Sequence, residues 1–190
     1  IGWDDLGRYL NMPRLLVSYG LFIPQLAAYQ WEYIKSLGFL LFGYDSVFGA
    51  TASMLINWSA GLLAVMAVFS FARFFLGPRQ GALAALLYYA LPVVGHFSFA
   101  DMKVDNAVFT MGTLALLALF VALFPPGEGD ETESQRLPIS WMILCGLLAG
   151  FAFSLKPTSI MTFLAMGTVL FGVRVHWTAF LGTMSLAWAL

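Results

Sequence analysis

Cysteine, histidine and charged residues are all scarce in this chain. A single cysteine, Cys145, excludes an internal disulfide, and His96 has no cysteine or histidine at ligand spacing, so we interpret it as an interfacial, hydrogen-bonded histidine. Charged residues make up 10% of the sequence with a formal net charge of -1, and no basic stripe indicates nucleic acid as a partner. A glycine-rich phosphate loop, a nucleophile elbow and a zinc-binding helix motif are also absent.

Long apolar stretches are what the sequence has instead. Hydrophobic residues make up 61% of it and the mean hydropathy is +0.84, far above a soluble domain, where roughly 45–50% is apolar. The stretches lack the alternation of a barrel strand and are close to the roughly 20 residues that a membrane helix needs. We therefore predict an all-α, polytopic transmembrane helical bundle whose successive runs are 46–72, 81–99, 106–124, 138–155, 158–173 and a last one from Trp177.

The sequence divides into two regions. Residues 1–45 are rich in tryptophan and tyrosine and are interrupted by Pro13, Gly20 and Pro24, which predicts a first extracytoplasmic loop with interfacial helices. The alternative is a broken crossing at 15–30. Residues 46–190 form the transmembrane domain of about six spans, with an acidic cytoplasmic loop at 125–137. Because the chain begins at Ile1 without a basic leader and stops inside an apolar run, we expect it to be an N-terminal fragment.

Three polar sites interrupt the apolar runs: Asp4-Asp5, Asp101-Met102-Lys103-Val104-Asp105 and Lys156-Pro157-Thr158. If each run crosses the bilayer once, an even number of crossings separates them, so all three share one face. A broken crossing at 15–30 would move Asp4-Asp5 to the other face. Arg73 and Arg79 flank a short turn without acids, as in cytoplasmic turns, so we place residues 1–45 outside.

Asp101 and Asp105 are four residues apart. If the helix begins early, both carboxylates lie on one face of its first turn, where the helix dipole favours negative charge, and Lys103 points elsewhere. The simpler interpretation is a solvated helix start. We favour a function for Asp105, because polar groups that enter a membrane usually serve one.

Lys156 follows an apolar run directly, so it either binds a phosphate or extends its ammonium to the lipid headgroups. Adjacent Asp4 and Asp5 point in different directions, so at most one acts chemically. Asn57 and Trp58 inside the first apolar run indicate packing between helices.

The order of these features is similar to that of a known family. It runs from paired acids in an aromatic first loop through Trp31-Glu32-Tyr33-Ile34-Lys35-Ser36-Leu37-Gly38, Leu41-Phe42-Gly43, Ala72-Arg73-Phe74-Phe75-Leu76-Gly77 and Leu91-Pro92 to an Asp that opens a helix and a Lys that closes a later one. This resembles the polytopic glycosyltransferases of the C superfamily, in particular the protein O-mannosyltransferase and lipid A aminoarabinose transferase-like group.

The resemblance implies transfer of a sugar from a polyprenyl-phosphate donor to a lipid, glycan or protein acceptor. It also implies an active site on the outer face of a membrane, which we expect to be the prokaryotic plasma (inner) membrane. The catalytic or metal-associated acid of the family maps onto Asp4 or Asp5, and the acid that opens the later helix maps onto Asp105 or Asp101. The family's lysine is commonly followed by glycine, whereas Lys156 precedes Pro157, so the subfamily and its sugar stay open.

These features combine into one hypothesis. Asp4 or Asp5 accepts the acceptor's proton, and Lys156, with Lys103 or Arg8 in reserve, stabilises the leaving phosphate. Asp105, or Asp101, binds a divalent metal ion, or Asp105 orients the lysine. Displacement in one step predicts inversion at the anomeric carbon.

Two other classes fit parts of the sequence. A transporter or flippase also gathers charges near broken helices, but it shows repeats with polar residues at the midplane, whereas these acids are at run ends. A non-catalytic membrane assembly subunit fits the aromatic richness.

Cysteines placed at positions 4 and 156, in a chain with Cys145 replaced by serine, test the parity of the crossings. We expect a membrane-impermeant maleimide to label both from the extracytoplasmic side. Labelling of the two positions from opposite sides would contradict the shared face.

Overall fold

The computed structural model describes residues 8–20, 30–96, 101–124, 139–173 and Ser185. These residues form helices and connecting turns and contain no strand, which confirms the all-α prediction. Asp4, Asp5, the acidic loop 125–137 and the last apolar run from Trp177 lie outside the described residues.

The helices follow the apolar runs closely. They are α1 (Asn11–Tyr19), α2 (Gln30–Phe42), α3 (Val47–Leu76), α4 (Pro78–Tyr89), α5 (Pro92–Gly95), α6 (Asp105–Leu123), α7 (Ile139–Leu155) and α8 (Ile160–Val173), with a 3-10 turn at Pro157–Ser159. Among the described residues, α3 and α6 are long and apolar enough to cross a bilayer, and α7 and α8 are shorter apolar helices.

The run 81–99 is one stretch in sequence but two helices in the structure. It begins within α4, which ends at Tyr89, and a turn precedes the short α5. Leu91 is extended, with ψ 126°, because the ring of Pro92 excludes the helical conformation from the preceding residue. Since α4 alone is only about 18 Å long, a crossing here needs the residues beyond this break as well.

Residues 1–45 contain two short helices where the structure describes them. Gly20, with φ 63°, ends α1 in the left-handed conformation. A guanidinium nitrogen of Arg14 pairs with a carboxylate oxygen of Asp45, which ties α1 to the turn between α2 and α3. On α2, Leu37, Leu40, Leu41 and Phe42 are exposed, which favours the predicted contact with lipid.

The chain forms two compact units, which divide within α6. In the first, residues 1–110, helix α3 turns small residues inward and large apolar residues outward, as membrane helices do. The inward-facing residues are Gly49, Ser53, Asn57, Ala60, Gly61, Ala64 and Ala67. In the second unit, residues 111–190, alanines of α6 form a core with Met142, Cys145, Met166 and Leu170.

Helices α2 and α3 of the first unit are in close contact. A Cβ atom added to Gly38 would lie 2.5 Å from the backbone nitrogen of Ser53 and 2.7 Å from the carbonyl oxygen of Gly49. A Cβ atom on Gly49 would lie 2.7 Å from the carbonyl oxygen of Gly43. Both contacts are with backbone atoms, so the helices approach this closely only because both positions are glycine.

We expect Gly38→Ala to destabilise the protein by about 1–3 kcal/mol, because the added methyl group forces α2 away from α3. The thermal unfolding midpoint in detergent measures this. Gly95→Ala is the matched control, since the described residues leave open space within 4 Å of its Cβ position. Equal midpoints for the two variants would contradict the close contact.

Candidate functional site

Two charged residues of the first unit, Glu32 and Lys35, lie on the buried face of α2. The buried face of this helix carries Trp31, Glu32 and Lys35, followed by Gly38 and Phe39. The spacing of these residues is that of one face of a helix. Two ionisable side chains thus lie inside, one helical turn apart, while Leu37, Leu40, Leu41 and Phe42 of the same helix are exposed.

Lys35 is fully buried, with 0% of its surface exposed. Its ammonium group donates a hydrogen bond to the carbonyl oxygen of Tyr9 at 2.9 Å and another to that of Met102 at 3.3 Å. The same nitrogen lies 5.3 Å from the centre of the Tyr9 ring, within the range of a cation–π contact. One side chain therefore joins three segments that are far apart in sequence.

Asn57 provides a second connection between α2 and the segment around Met102. Its Oδ1 atom accepts a hydrogen bond from the indole nitrogen of Trp31 at 3.2 Å, and its Nδ2 atom donates to the carbonyl oxygen of Asp101 at 3.4 Å. Asn57 is buried in α3, so these bonds satisfy an amide that is otherwise costly to bury. The prediction that Asn57 serves packing between helices is confirmed.

Asp101 is the centre of a small ionic cluster. Its Oδ2 atom lies 3.1 Å from Nε2 of His96 and 3.1 Å from the ammonium nitrogen of Lys103. The Asp101 side chain is 9% exposed, whereas that of His96 is 57% exposed and that of Lys103 is 31% exposed. The expectation of a hydrogen-bonded His96 is confirmed, and the expectation that Lys103 points elsewhere is wrong.

Asp105 opens α6, as predicted, and the helix begins no earlier. Asp101 therefore precedes the helix. The two carboxylates do not lie together on its first turn, because the early helix start that this required is absent. The backbone nitrogen of Asp101 instead donates to the carbonyl oxygen of His96 at 3.0 Å, ahead of the helix. One turn into α6, the Thr110 hydroxyl donates to the carbonyl oxygens of Ala60 and Asn106.

Glu32 lies beside this network without a full set of partners. It is 6% exposed, and among the described residues its Oε1 atom has no hydrogen-bond partner. Burial raises the pKa of Glu32 to about 7, against the opposing effect of the nearby Lys35 and Arg8 charges. Desolvation outweighs the cations because a buried carboxylate loses its water. Arg8 itself is exposed, with its guanidinium carbon 6.0 Å from the centre of the Tyr9 ring.

Lys156 belongs to the second unit. It follows α7 in an extended conformation, with φ -160° and ψ 125°, and Pro157 begins the 3-10 turn after it. The connection between α7 and α8 is thus a short turn. The Lys156 carbonyl oxygen accepts a hydrogen bond from the Ser159 backbone nitrogen at 3.0 Å, and the side chain is partly exposed.

The described residues do not assemble a metal site. No group of three or more His, Cys, Asp or Glu side chains among them is placed to hold an ion. Two potential cations, His96 and Lys103, already contact Oδ2 of Asp101. Asp101 therefore does not fit the role of a metal ligand.

The sequence analysis did not identify Glu32 and Lys35 as buried charged residues. Both stand in the segment that carries the family resemblance, but the segment alone does not show that they face inward. Their spacing of three residues beside Trp31 was the available signal, since it places both on one face of a helix. Only the contact with α3 identifies that face as the buried one.

Most of the chain matches a known protein family. A family described as "Dolichyl-phosphate-mannose-protein mannosyltransferase" matches residues 29–190. The matched range includes α2 and every later helix, and it leaves out Asp4, Asp5 and Arg8. The curated proteins and the solved structures contain no significant match to the chain.

We expect Glu32→Gln to change how stability depends on pH. The folded protein raises the Glu32 pKa from an ordinary value of 4.5 to about 7, so the fold favours the neutral carboxyl. The stabilisation is complete below about pH 4.5 and is lost as the pH rises through about 7, which makes the wild type less stable than the variant by up to about 3 kcal/mol at pH 8.

Unfolding midpoints in detergent between about pH 5 and pH 8 measure this difference. Asp45→Asn is the matched control, because the Asp45 side chain is 77% exposed. Parallel pH profiles for the wild type and Glu32→Gln would contradict a buried, neutral Glu32.

Proposed function

The chain belongs to the dolichyl-phosphate-mannose-protein mannosyltransferase family, and from this premise we propose that it transfers a sugar from a polyprenyl-phosphate donor to an acceptor on the extracytoplasmic face, with inversion at the anomeric carbon. Family membership makes it an integral membrane glycosyltransferase that uses a lipid-linked donor. The proposal also covers the sugar of the donor, the acceptor, and the location of the protein in the prokaryotic plasma membrane.

One observation carries this proposal: the first unit gathers buried and half-buried charges where apolar helices begin. Lys103 and Asp101 directly precede α6, and Lys35 contacts the same loop. The part of α3 from Asn57 to Leu76 is about 30 Å long, which is the thickness of a hydrocarbon layer. A crossing by this part of α3 would put Asn57 at the membrane boundary, where a lipid-linked phosphate lies.

The proposed reaction is a single displacement. A hydroxyl or amine of the acceptor attacks the anomeric carbon, the bond from that carbon to the phosphate oxygen breaks, and polyprenyl phosphate leaves. The proton of the attacking group moves to the carboxylate of Asp4 or Asp5. The leaving phosphate needs charge stabilisation more than protonation, because it is a weak base.

Cations are proposed to supply that stabilisation. Lys156 is the first candidate, and Lys103 and Arg8 are the others. The partial exposure of Lys103 beside Asp101 supports its assignment, because a cation held by a buried acid is positioned before the phosphate arrives. A divalent ion bound by Asp105 stays a prediction.

The full-length protein, incubated with a radiolabelled polyprenyl-phosphate sugar and membrane acceptors, tests the proposal. We expect label to leave the donor lipid. Either Asp4→Asn or Asp5→Asn should lower turnover by about 10²–10⁴-fold, the usual contribution of a general base, while binding of the donor persists. Asp45→Asn is the matched control, since Asp45 pairs with Arg14 on the outside of the first unit.

Each outcome of this experiment bears on a separate part of the proposal. Retention of label on the lipid by the wild type would contradict the glycosyltransfer. Equal residual activity in the Asp4 and Asp5 variants would contradict the base assignment. If adding a chelator leaves the activity unchanged, the predicted role of a divalent ion is contradicted.

A further inference from the structure

Lys35 is the only lysine among the described residues that has no exposed surface. A lysine is rarely buried completely, because its ammonium loses the hydration that water provides. The protein replaces this hydration with two backbone carbonyl oxygens and the face of the Tyr9 ring. All three of these partners are fixed parts of the protein, so the ammonium is held in place.

The two carbonyl groups belong to the two segments that carry proposed site residues. Tyr9 directly follows Arg8, and four residues of backbone, at most about 14 Å when extended, separate it from Asp5. Met102 lies between Asp101 and Lys103. Lys35 therefore connects the Tyr9 segment, which is near the proposed base, with the 101–103 loop, which carries the proposed phosphate-binding cation Lys103.

The loop is held at two consecutive carbonyl groups. Asn57 donates to that of Asp101 and Lys35 donates to that of Met102. Both donors belong to the α2–α3 pair, which packs tightly through Gly38 and Gly49. This arrangement fixes the backbone from which the Asp101 and Lys103 side chains extend, and Lys35 adds the segment at Tyr9 to the same support.

We propose that Lys35 is a positioning residue for glycosyl transfer, which holds the Tyr9 segment and the 101–103 loop at a fixed separation. This inference rests on the proposed function. Lys35 acts through the backbone of these segments and does not touch the donor phosphate, because its ammonium is buried and bonded to carbonyl oxygens. Misplacement of reacting groups by about 1 Å lowers turnover by up to about 100-fold.

Lys35→Met tests this role, since methionine keeps most of the side-chain length and removes the hydrogen bonds. We expect kcat to fall about 10–100-fold, with the KM for the polyprenyl-phosphate sugar changed less than about threefold. Lys35→Arg, whose guanidinium has several N–H donors, should recover at least part of the lost kcat. Arg79→Met is the matched control, because Arg79 is an exposed cation in the first turn of α4.

Hydrogen–deuterium exchange gives a second measurement that does not need turnover. In Lys35→Met, backbone amides of residues 8–20 and 101–104 should exchange faster, while those of α4 should keep their wild-type rates. Faster exchange throughout the chain would mean a general loss of folding and would overturn the specific role.

The kinetic outcomes separate this inference from the proposed function. If the wild type transfers sugar and Lys35→Met does so with the same kcat, the positioning role is wrong and the function stands. A raised KM with unchanged kcat would also overturn it, because that result indicates donor binding by Lys35. If the wild type transfers no sugar, the proposed function fails, and local exchange at the two segments still reports whether Lys35 joins them.

Discussion

The close packing of α2 against α3 is the contact on which the other interactions of the first unit depend. Gly38 and Gly49 let the two backbones approach to a distance that no side chain at either position would allow. This approach places Trp31 beside Asn57 and turns Glu32 and Lys35 inward. The buried polar groups therefore follow from a packing contact between glycines in an otherwise apolar part of the chain.

Buried polar groups in this unit are placed in a chain of contacts. Trp31 binds Asn57, Asn57 binds the carbonyl group of Asp101, and the Asp101 carboxylate contacts His96 and Lys103. Each contact satisfies a group that would be costly to bury alone. Two groups of this unit are exceptions, since among the described residues Oε1 of Glu32 and the hydroxyl of Ser53 have no hydrogen-bond partner. The raised pKa of Glu32 follows from its desolvation.

Helix positions were largely predictable, because a membrane helix must satisfy its backbone within itself and therefore follows the apolar run. Val47–Leu76 and Asp105–Leu123 match their predicted runs. Pro92 divides the run 81–99 into two helices, a break that the apolar pattern alone does not predict. The orientation of Lys103 toward Asp101 was not predictable, because a loop ahead of a helix has no fixed spacing that relates neighbouring side chains.

The sequence by itself determined the helical class, the apolar runs, the helix start at Asp105 and the resemblance to a glycosyltransferase family that the family comparison confirms. These properties depend on local composition and on the spacing of residues along the chain. Only the tertiary structure decided that Lys35 is a buried link between Tyr9 and Met102. A lysine three residues from a glutamate fits an exposed helix face equally well, and which face is buried depends on the neighbouring helix that packs against it.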